Sequence, residues 1–118
     1  MARGRLRGFL YIMADRKLGI LLSTPPSHPS VETVVQLAKA ALRRGVDVYL
    51  YLIDEGVKSA TDPRYLDLID AGVKTSVCTY GCQRHGIPTV TIDSRASLSG
   101  LVVLSGIIEG CDRFLAFT

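Results

Sequence analysis

A chain of 118 residues that is 47% apolar and 21% charged can bury the core of one compact domain, but not of two. This composition excludes a disordered or low-complexity protein. The net charge of +3 equals the charge of Arg3, Arg5 and Arg7 in an acid-free amino-terminal stretch, so the rest of the chain is neutral and offers no basic stripe for nucleic acid.

Residues 1–16 are predicted to be a basic extension outside the folded domain. We interpret them as a disordered segment, as a short arm for an anionic partner, or as a mis-assigned start, in which case Met13 begins the chain. Their apolar patch, residues 9–12, is too short for a membrane span or for a secretory signal. Three cysteines do not make a disulfide framework. We therefore expect a cytoplasmic protein with free thiols.

The first half of the domain alternates strand and helix. A continuous apolar run at residues 18–22 predicts a buried strand. Three prolines then force a loop, and Ser30 is expected to cap a helix over residues 30–44 that Gly45 ends. A second strand is predicted over residues 46–53.

The second half continues the alternation. A polar connection at residues 59–63 leads to a short helix over 65–71, and a third strand, 73–77, ends at Cys78. The remaining predicted elements are a strand at 88–92, an apolar helix at 98–109 and a final strand at 113–117. Such spacing predicts a single-domain α/β fold, residues 17–118, with a parallel sheet of about five strands and helices on both faces.

The apolar helix predicted at residues 98–109 has almost no polar face. A helix that is apolar all round is buried on both sides. In so short a domain one of these sides is expected to be covered by another subunit, so the sequence predicts an oligomer.

Cys78 is the residue from which function is inferred. It stands at the carboxyl end of one predicted strand, where the working groups of parallel sheets collect, and at the amino end of a short helix that stops at Gly86. Backbone N–H groups and the positive end of a helix dipole favour the ionised form of a thiol. A thiolate is the form that attacks sulfur or binds metal.

Cys78, Cys82 and His85 fall on one face if the segment is helical. Three interpretations remain open from spacing alone. A nucleophilic thiol would hold transferred sulfur as a persulfide, with Cys82 as a resolving thiol. The same residues could ligate a metal, although the spacing is not that of common zinc sites. Finally, both cysteines could be buried packing residues.

The sequence contains two further candidate residues, Cys111 and His28. Cys111 lies between the apolar helix and the last strand and is expected to pack in the core. His28 lies in the proline loop on the presumed active edge, as a candidate substrate-binding residue beside His85 or as an exposed loop residue without chemistry.

No cofactor is predicted. The loop after the first strand has prolines where a phosphate site needs backbone N–H groups, and it has no glycine. Phosphate-binding, hydrolase and His/carboxylate metal motifs do not occur in the sequence.

Three parts of the chain together resemble the DsrE/DsrF-like family of small sulfur-relay proteins, most closely its DsrE/TusD-type members. The first is residues 42–48, where the first predicted helix ends and the second strand begins, together with residues 54–57 at the end of that strand. The second is Cys78 followed eight residues later by Gly86 and a β-branched residue. The third comprises residues 99–101 and 111–113.

The resemblance covers residues 17–117 and implies a flavodoxin-like sheet and a trimeric or hexameric assembly, built of one or of several related subunits. It also implies that Cys78 accepts sulfane sulfur and hands it to a partner protein, either for tRNA thiolation or in dissimilatory sulfur metabolism. Direct contact with nucleic acid or a membrane is not expected. His85 stands where many members have arginine, and Cys82 where an apolar residue is common.

Two other classes of function stay open. The chain could be an interaction subunit without chemistry of its own, as some subunits of such rings lack a working cysteine. It could also be a dithiol redox or metal-binding protein that uses Cys78 and Cys82.

Overall fold

A computed structural model describes residues 16–118 of the chain. Within this range, five parallel strands form one sheet in the order β4-β3-β2-β1-β5. The strands are β1 (Lys17–Leu22), β2 (Asp47–Leu52), β3 (Lys74–Cys78), β4 (Ser97–Ser99) and β5 (Arg113–Phe117). The α-helices of the same range are α1 (Pro29–Arg43), α2 (Pro63–Asp70), α3 (Thr79–Arg84) and α4 (Leu101–Gly110). The predicted α/β fold is confirmed, whereas the predicted extension lies outside the described residues apart from Arg16.

The two faces of the sheet are covered by different helices. Alternate strand residues such as Ile20 and Leu50 are completely buried in one core with Val34 of α1. Gly19 points to the opposite face, because successive strand residues alternate. A Cβ atom added to Gly19 would lie 3.0 Å from Ile107 of α4, so this helix covers the second face.

Helix α1 follows the predicted pattern but begins at a different cap. Its apolar side is Val31, Val34, Val35 and Ala38. The prediction that Ser30 caps this helix is wrong: the cap is His28, whose Nδ1 accepts the N–H of Ser30 at 3.1 Å. Pro29 can follow directly because the first turn of a helix needs no N–H donor at that position.

The connection after β2 is more regular than its polar sequence predicts. Residues Asp54–Thr61 form a 3₁₀ helix rather than an irregular link. Gly56 lies in its first turn, buried against the carboxyl end of β1. An added Cβ atom at Gly56 would collide with the carbonyl oxygen of Leu22, so only glycine fits.

The region before α4 also differs from the prediction. Residues Thr89–Thr91 form a 3₁₀ turn, so the strand predicted at 88–92 is wrong. The edge strand is β4, three residues long, and the predicted helix therefore begins later, at Leu101. A strand this short and polar has too few residues for an alternating pattern to show.

Helix α4 is apolar but mostly uncovered within the described chain. Ile107 is its one buried residue there, while Val102 is 87% exposed and Leu101 63% exposed. The sequence-based expectation that a helix of this composition is buried on both sides is therefore not met by a single copy.

Replacing Gly56 with alanine is expected to destabilise the fold, because the new methyl group meets main-chain atoms of β1 that cannot move aside. We expect a loss of about 1–3 kcal/mol in the free energy of unfolding, measured by urea denaturation. Gly106→Ala is the matched control, since an added Cβ there meets nothing within 4 Å and alanine favours a helix. Equal stability of the two variants would contradict this packing.

Candidate functional site

Cys78 is both the last residue of β3 and the residue that caps α3. Its backbone is extended, with φ −66° and ψ 118°, and its Sγ accepts the N–H of Gly81 at 3.4 Å. The predicted place of Cys78, at a strand end and a helix start, is confirmed. The sulfur therefore takes part in capping the helix through a backbone donor.

A glycine in α3 determines how closely this helix packs. A Cβ atom at Gly81 would lie 2.8 Å from Cγ1 of Val57 in the 3₁₀ helix. Without a side chain there, α3 lies directly against that segment and is held beside the end of β2. Gly86, with φ +67°, ends the turn after the helix, as the sequence predicts.

Cys78 is only 5% exposed, but it lines a cavity of about 470 Å³. Gly100 and Leu101, where α4 begins, form one part of its wall. Residues that follow β2 form a second part (Ile53 and Asp54), and α3 forms a third (Tyr80, Gly81 and Arg84). One carboxylate and one guanidinium therefore lie in a largely apolar cavity. This arrangement gives the Cys78 sulfur a space next to it that is large enough for an attached atom.

Tyr51 lies beside Cys78 and was not identified from the sequence. Its hydroxyl donates to the carbonyl oxygen of Gly100 at 3.0 Å. Burial, together with negative charge on Cys78, raises the pKa of Tyr51 to about 12, so the hydroxyl stays protonated near neutral pH. The two-residue spacing of Tyr49 and Tyr51, which places both on one face of β2, is the sequence signal that could have shown it.

Cys82 and Cys111 lie in different surroundings from Cys78. Cys82 is completely buried and does not line the Cys78 cavity. Burial raises the pKa of the Cys82 thiol, and the nearby charge of Cys78 raises it further. Cys111 is half-buried at the end of α4, where burial also raises its thiol pKa. Both thiols are therefore held in the neutral form, which is the less nucleophilic one.

The two histidines are not brought together at the cavity. His85 follows α3, and its Nε2 lies 2.8 Å from Oδ1 of Asp54, which does line the cavity. His28 is engaged in capping α1 and is not among the cavity residues. Asp54 adopts a left-handed backbone, φ +52°, and its hydrogen bond to His85 lowers the pKa of its carboxyl group.

The described residues form neither a metal-ligand cluster nor a helix of the length that a bilayer requires. Among residues 16–118, no three or more His, Cys, Asp or Glu side chains are grouped to hold a metal ion. In the same range no helix is long and apolar enough to cross a membrane.

The fold and the cysteine position define a class: small α/β proteins in which a cysteine ends a central parallel strand and begins a helix. The DsrE/DsrF-like family model matches residues 16–117, which is most of the chain. The protein therefore belongs to the DsrE/DsrF-like family.

Two solved structures share the fold at low sequence identity. The YchN protein of E. coli is 18% identical, with a TM-score of 0.75 over 87% of this chain and 99% of that one. A conserved protein of unknown function from Bacteroides thetaiotaomicron, BT1422, is 16% identical, with a TM-score of 0.68 over 90% of this chain and 98% of its own. No curated protein matches the sequence.

Replacing His85 with glutamine is expected to raise the pKa of the Asp54 carboxyl group towards its ordinary value, because the bond that lowers it is weakened. The Asp54 carboxyl group is charged and bonded to His85 when the pH is above its unfolded-state pKa. Any stability from this pair is therefore lost as the pH falls through the lower, folded-state pKa of Asp54. NMR titration of the carboxyl carbons measures the change. Asp93, which Arg95 holds at a pKa of about 2, is the internal control and should not move.

If the Asp54 titration is the same in both proteins, the pairing with His85 does not exist in solution. A parallel shift at Asp93 would instead indicate a general disturbance of the fold.

Proposed function

We propose that this protein is a sulfur carrier that accepts sulfane sulfur on Cys78 as a persulfide and passes it to a partner protein. The observation that carries the proposal is the position of the Cys78 sulfur, which accepts the Gly81 N–H and lines a cavity of about 470 Å³. Membership of the DsrE/DsrF-like family supports it.

The proposed transfer needs no cofactor and no net oxidation. The Cys78 thiolate attacks the outer sulfur of a donor persulfide, a new S–S bond forms at Cys78, and the donor leaves as its own thiolate. The outer sulfur on Cys78 is then attacked by the thiolate of an acceptor, and the Cys78 thiolate is regenerated. Each step exchanges one S–S bond for another, so atoms and electrons balance.

The surroundings of Cys78 suit the persulfide better than bulk water would. The cavity wall at Gly100 and Leu101 offers the outer sulfur an apolar surface. Tyr51 remains protonated and keeps the strand end of β4 close, through its bond to Gly100. Arg84 places one positive charge in the wall of the cavity.

In this proposal Cys82 and the histidines are subordinate to Cys78. Cys82 is a neutral, buried thiol one turn along α3, so it can act as a resolving thiol only if α3 shifts. His85 acts through Asp54 on the cavity wall, and His28 supports the loop beyond β1. Transfer towards tRNA thiolation or within dissimilatory sulfur metabolism is the pathway proposed, with the donor and acceptor both proteins of the cytoplasm.

A second candidate function is that of an interaction subunit without chemistry. It is favoured by the low exposure of Cys78, 5%, together with the uncovered apolar surface of α4. Titration of the native protein with a small thiol reagent separates the two functions: in a carrier Cys78 reacts rapidly, whereas in a non-catalytic subunit Cys78 reacts only when the protein is unfolded.

The persulfide proposal predicts a gain of one sulfur atom when the reduced protein is incubated with a persulfide donor and its intact mass is taken. Cys78→Ser is expected to abolish the gain, because no other thiol lines the cavity. Cys111→Ser is the matched control and should load fully. Cys82→Ser should also load, since that thiol is neutral and buried.

A sulfur gain that survives in Cys78→Ser excludes Cys78 as the carrier. Loss of loading in Cys82→Ser alone, with its fold intact by circular dichroism, would assign the reaction to the second thiol and to the dithiol alternative.

We further propose that the uncovered side of α4 contacts other copies of the chain in a homotrimer or hexamer, or related subunits in a mixed ring. Val102→Lys places a charge on this side and is expected to reduce the mass measured by sedimentation equilibrium towards that of one chain. Val90→Lys is the control. Val90 lies in the 3₁₀ turn Thr89–Thr91, away from α4, and is 90% exposed, so this change should leave the assembly unchanged. A monomeric wild-type chain, or a reversed response of the two variants, contradicts the proposal.

A further inference from the structure

A second cavity, of about 570 Å³, lies between α4 and the amino-terminal half of the sheet. It shares no lining residue with the cavity of Cys78. Two glycines of α4, Gly106 and Gly110, form part of its wall, and neither has any atom within 4 Å of the place of a Cβ. The absence of side chains at these two positions leaves the space between helix and sheet unfilled.

Two lysines converge on one aromatic ring in this cavity. Tyr49 of β2 is flanked by Lys74, its register partner on β3, and by Lys17 on β1. The Nζ atoms lie 5.0 Å (Lys74) and 6.0 Å (Lys17) from the centre of the ring. Such cation–π contacts are weak and leave most of the ammonium charge available to an anion.

The ammonium groups of Lys17 and Lys74 form no ion pair within the described residues. Two carboxylates are nevertheless near Lys17, since Asp112 accepts its backbone N–H at 2.8 Å and Asp47 is its register partner. No aspartate or glutamate lines the cavity. Arg95, the third cation of the lining, is already bonded to Asp70 at 2.7 Å and to Asp93 at 2.9 Å.

Ser76 provides a polar group inside the same cavity. It lies two residues beyond Lys74 on β3, so both side chains are on the face that α4 covers. Ser76 is only 8% exposed, and no side-chain hydrogen bond within the described range involves its hydroxyl. The hydroxyl is not among the fully buried polar atoms that lack a partner, so it is accessible within the cavity and can donate to a bound acceptor.

The rest of the lining is mainly apolar. Ile69 and Val73 lie on one side, and Val103 and Ile107 of α4 lie on the other. A ligand that fits must therefore present an anionic head to the lysines and the serine, and an apolar body to the helix.

From these contacts we propose that this cavity binds a small organic anion with an apolar body, such as a carboxylate with a short alkyl chain. Lys17 and Lys74 bind the anionic group, Ser76 donates a hydrogen bond to it, and the body lies between Val103 and Ile107. The site is independent of the sulfur-carrier proposal, because none of its residues contacts the Cys78 cavity.

Octanoate is the probe that tests the site, by titration of the full ¹⁵N-labelled chain with amide shifts recorded at Gly72, Gly106 and Gly110. We expect saturable binding of one octanoate per chain. Octanol, which lacks the charge, and acetate, which lacks the body, should each bind at least about tenfold more weakly, as the loss of one charge-assisted hydrogen bond or of several buried methylenes predicts.

Lys74→Met keeps the length of the side chain and removes its charge, so it is expected to weaken octanoate binding about tenfold. Ser76→Ala should weaken it less. Lys39→Met is the matched control: it removes the same charge from an exposed position on α1 and should bind octanoate as the wild type does. Unchanged thermal melting shows that each variant is folded.

Equal affinity for octanoate and octanol overturns the proposal, as does full binding by Lys74→Met. Shifts confined to the outer side of α4, around Val102 and Ile108, also overturn it, because they place the alkyl chain on the uncovered apolar surface instead.

Discussion

One structural constraint underlies the proposed site: Cys78 belongs to a strand and to a helix cap at once. As the last residue of β3 it is fixed by the central sheet, and as the cap of α3 its sulfur must face the N–H of Gly81. Rotation of the side chain away from the helix would leave a buried donor without a partner. The sulfur is therefore held in one direction by the backbone itself, and that direction borders the cavity.

The helix α4 links the two cavities of the molecule. Its first residue, Leu101, lines the cavity of Cys78, while its second half lines the other cavity. The first cavity is largely apolar beside Cys78, and the second is apolar around two lysines that form no ion pair within the described residues. Two glycines in the second half of this short helix, Gly106 and Gly110, leave the second cavity unfilled.

The sequence predicted the parallel sheet and the place of Cys78 because both leave strong local signals. Buried strands such as 18–22 are continuous apolar runs, and a cysteine between such a run and a helix ending at Gly86 has a defined position. The three-residue strand β4 left no such signal, because it is too short to show a period. Tyr51 and the lysines around Tyr49 were not found, since they depend on which strands are neighbours, and register is not visible in local pattern.

A crystal structure of the wild-type chain after loading with a persulfide donor would show whether Cys78 carries sulfur. We predict one additional sulfur, bonded to Sγ of Cys78 and directed into the space bounded by Tyr80, Gly100 and Leu101. Additional density on Cys82 or Cys111, with an unmodified Cys78, would contradict it.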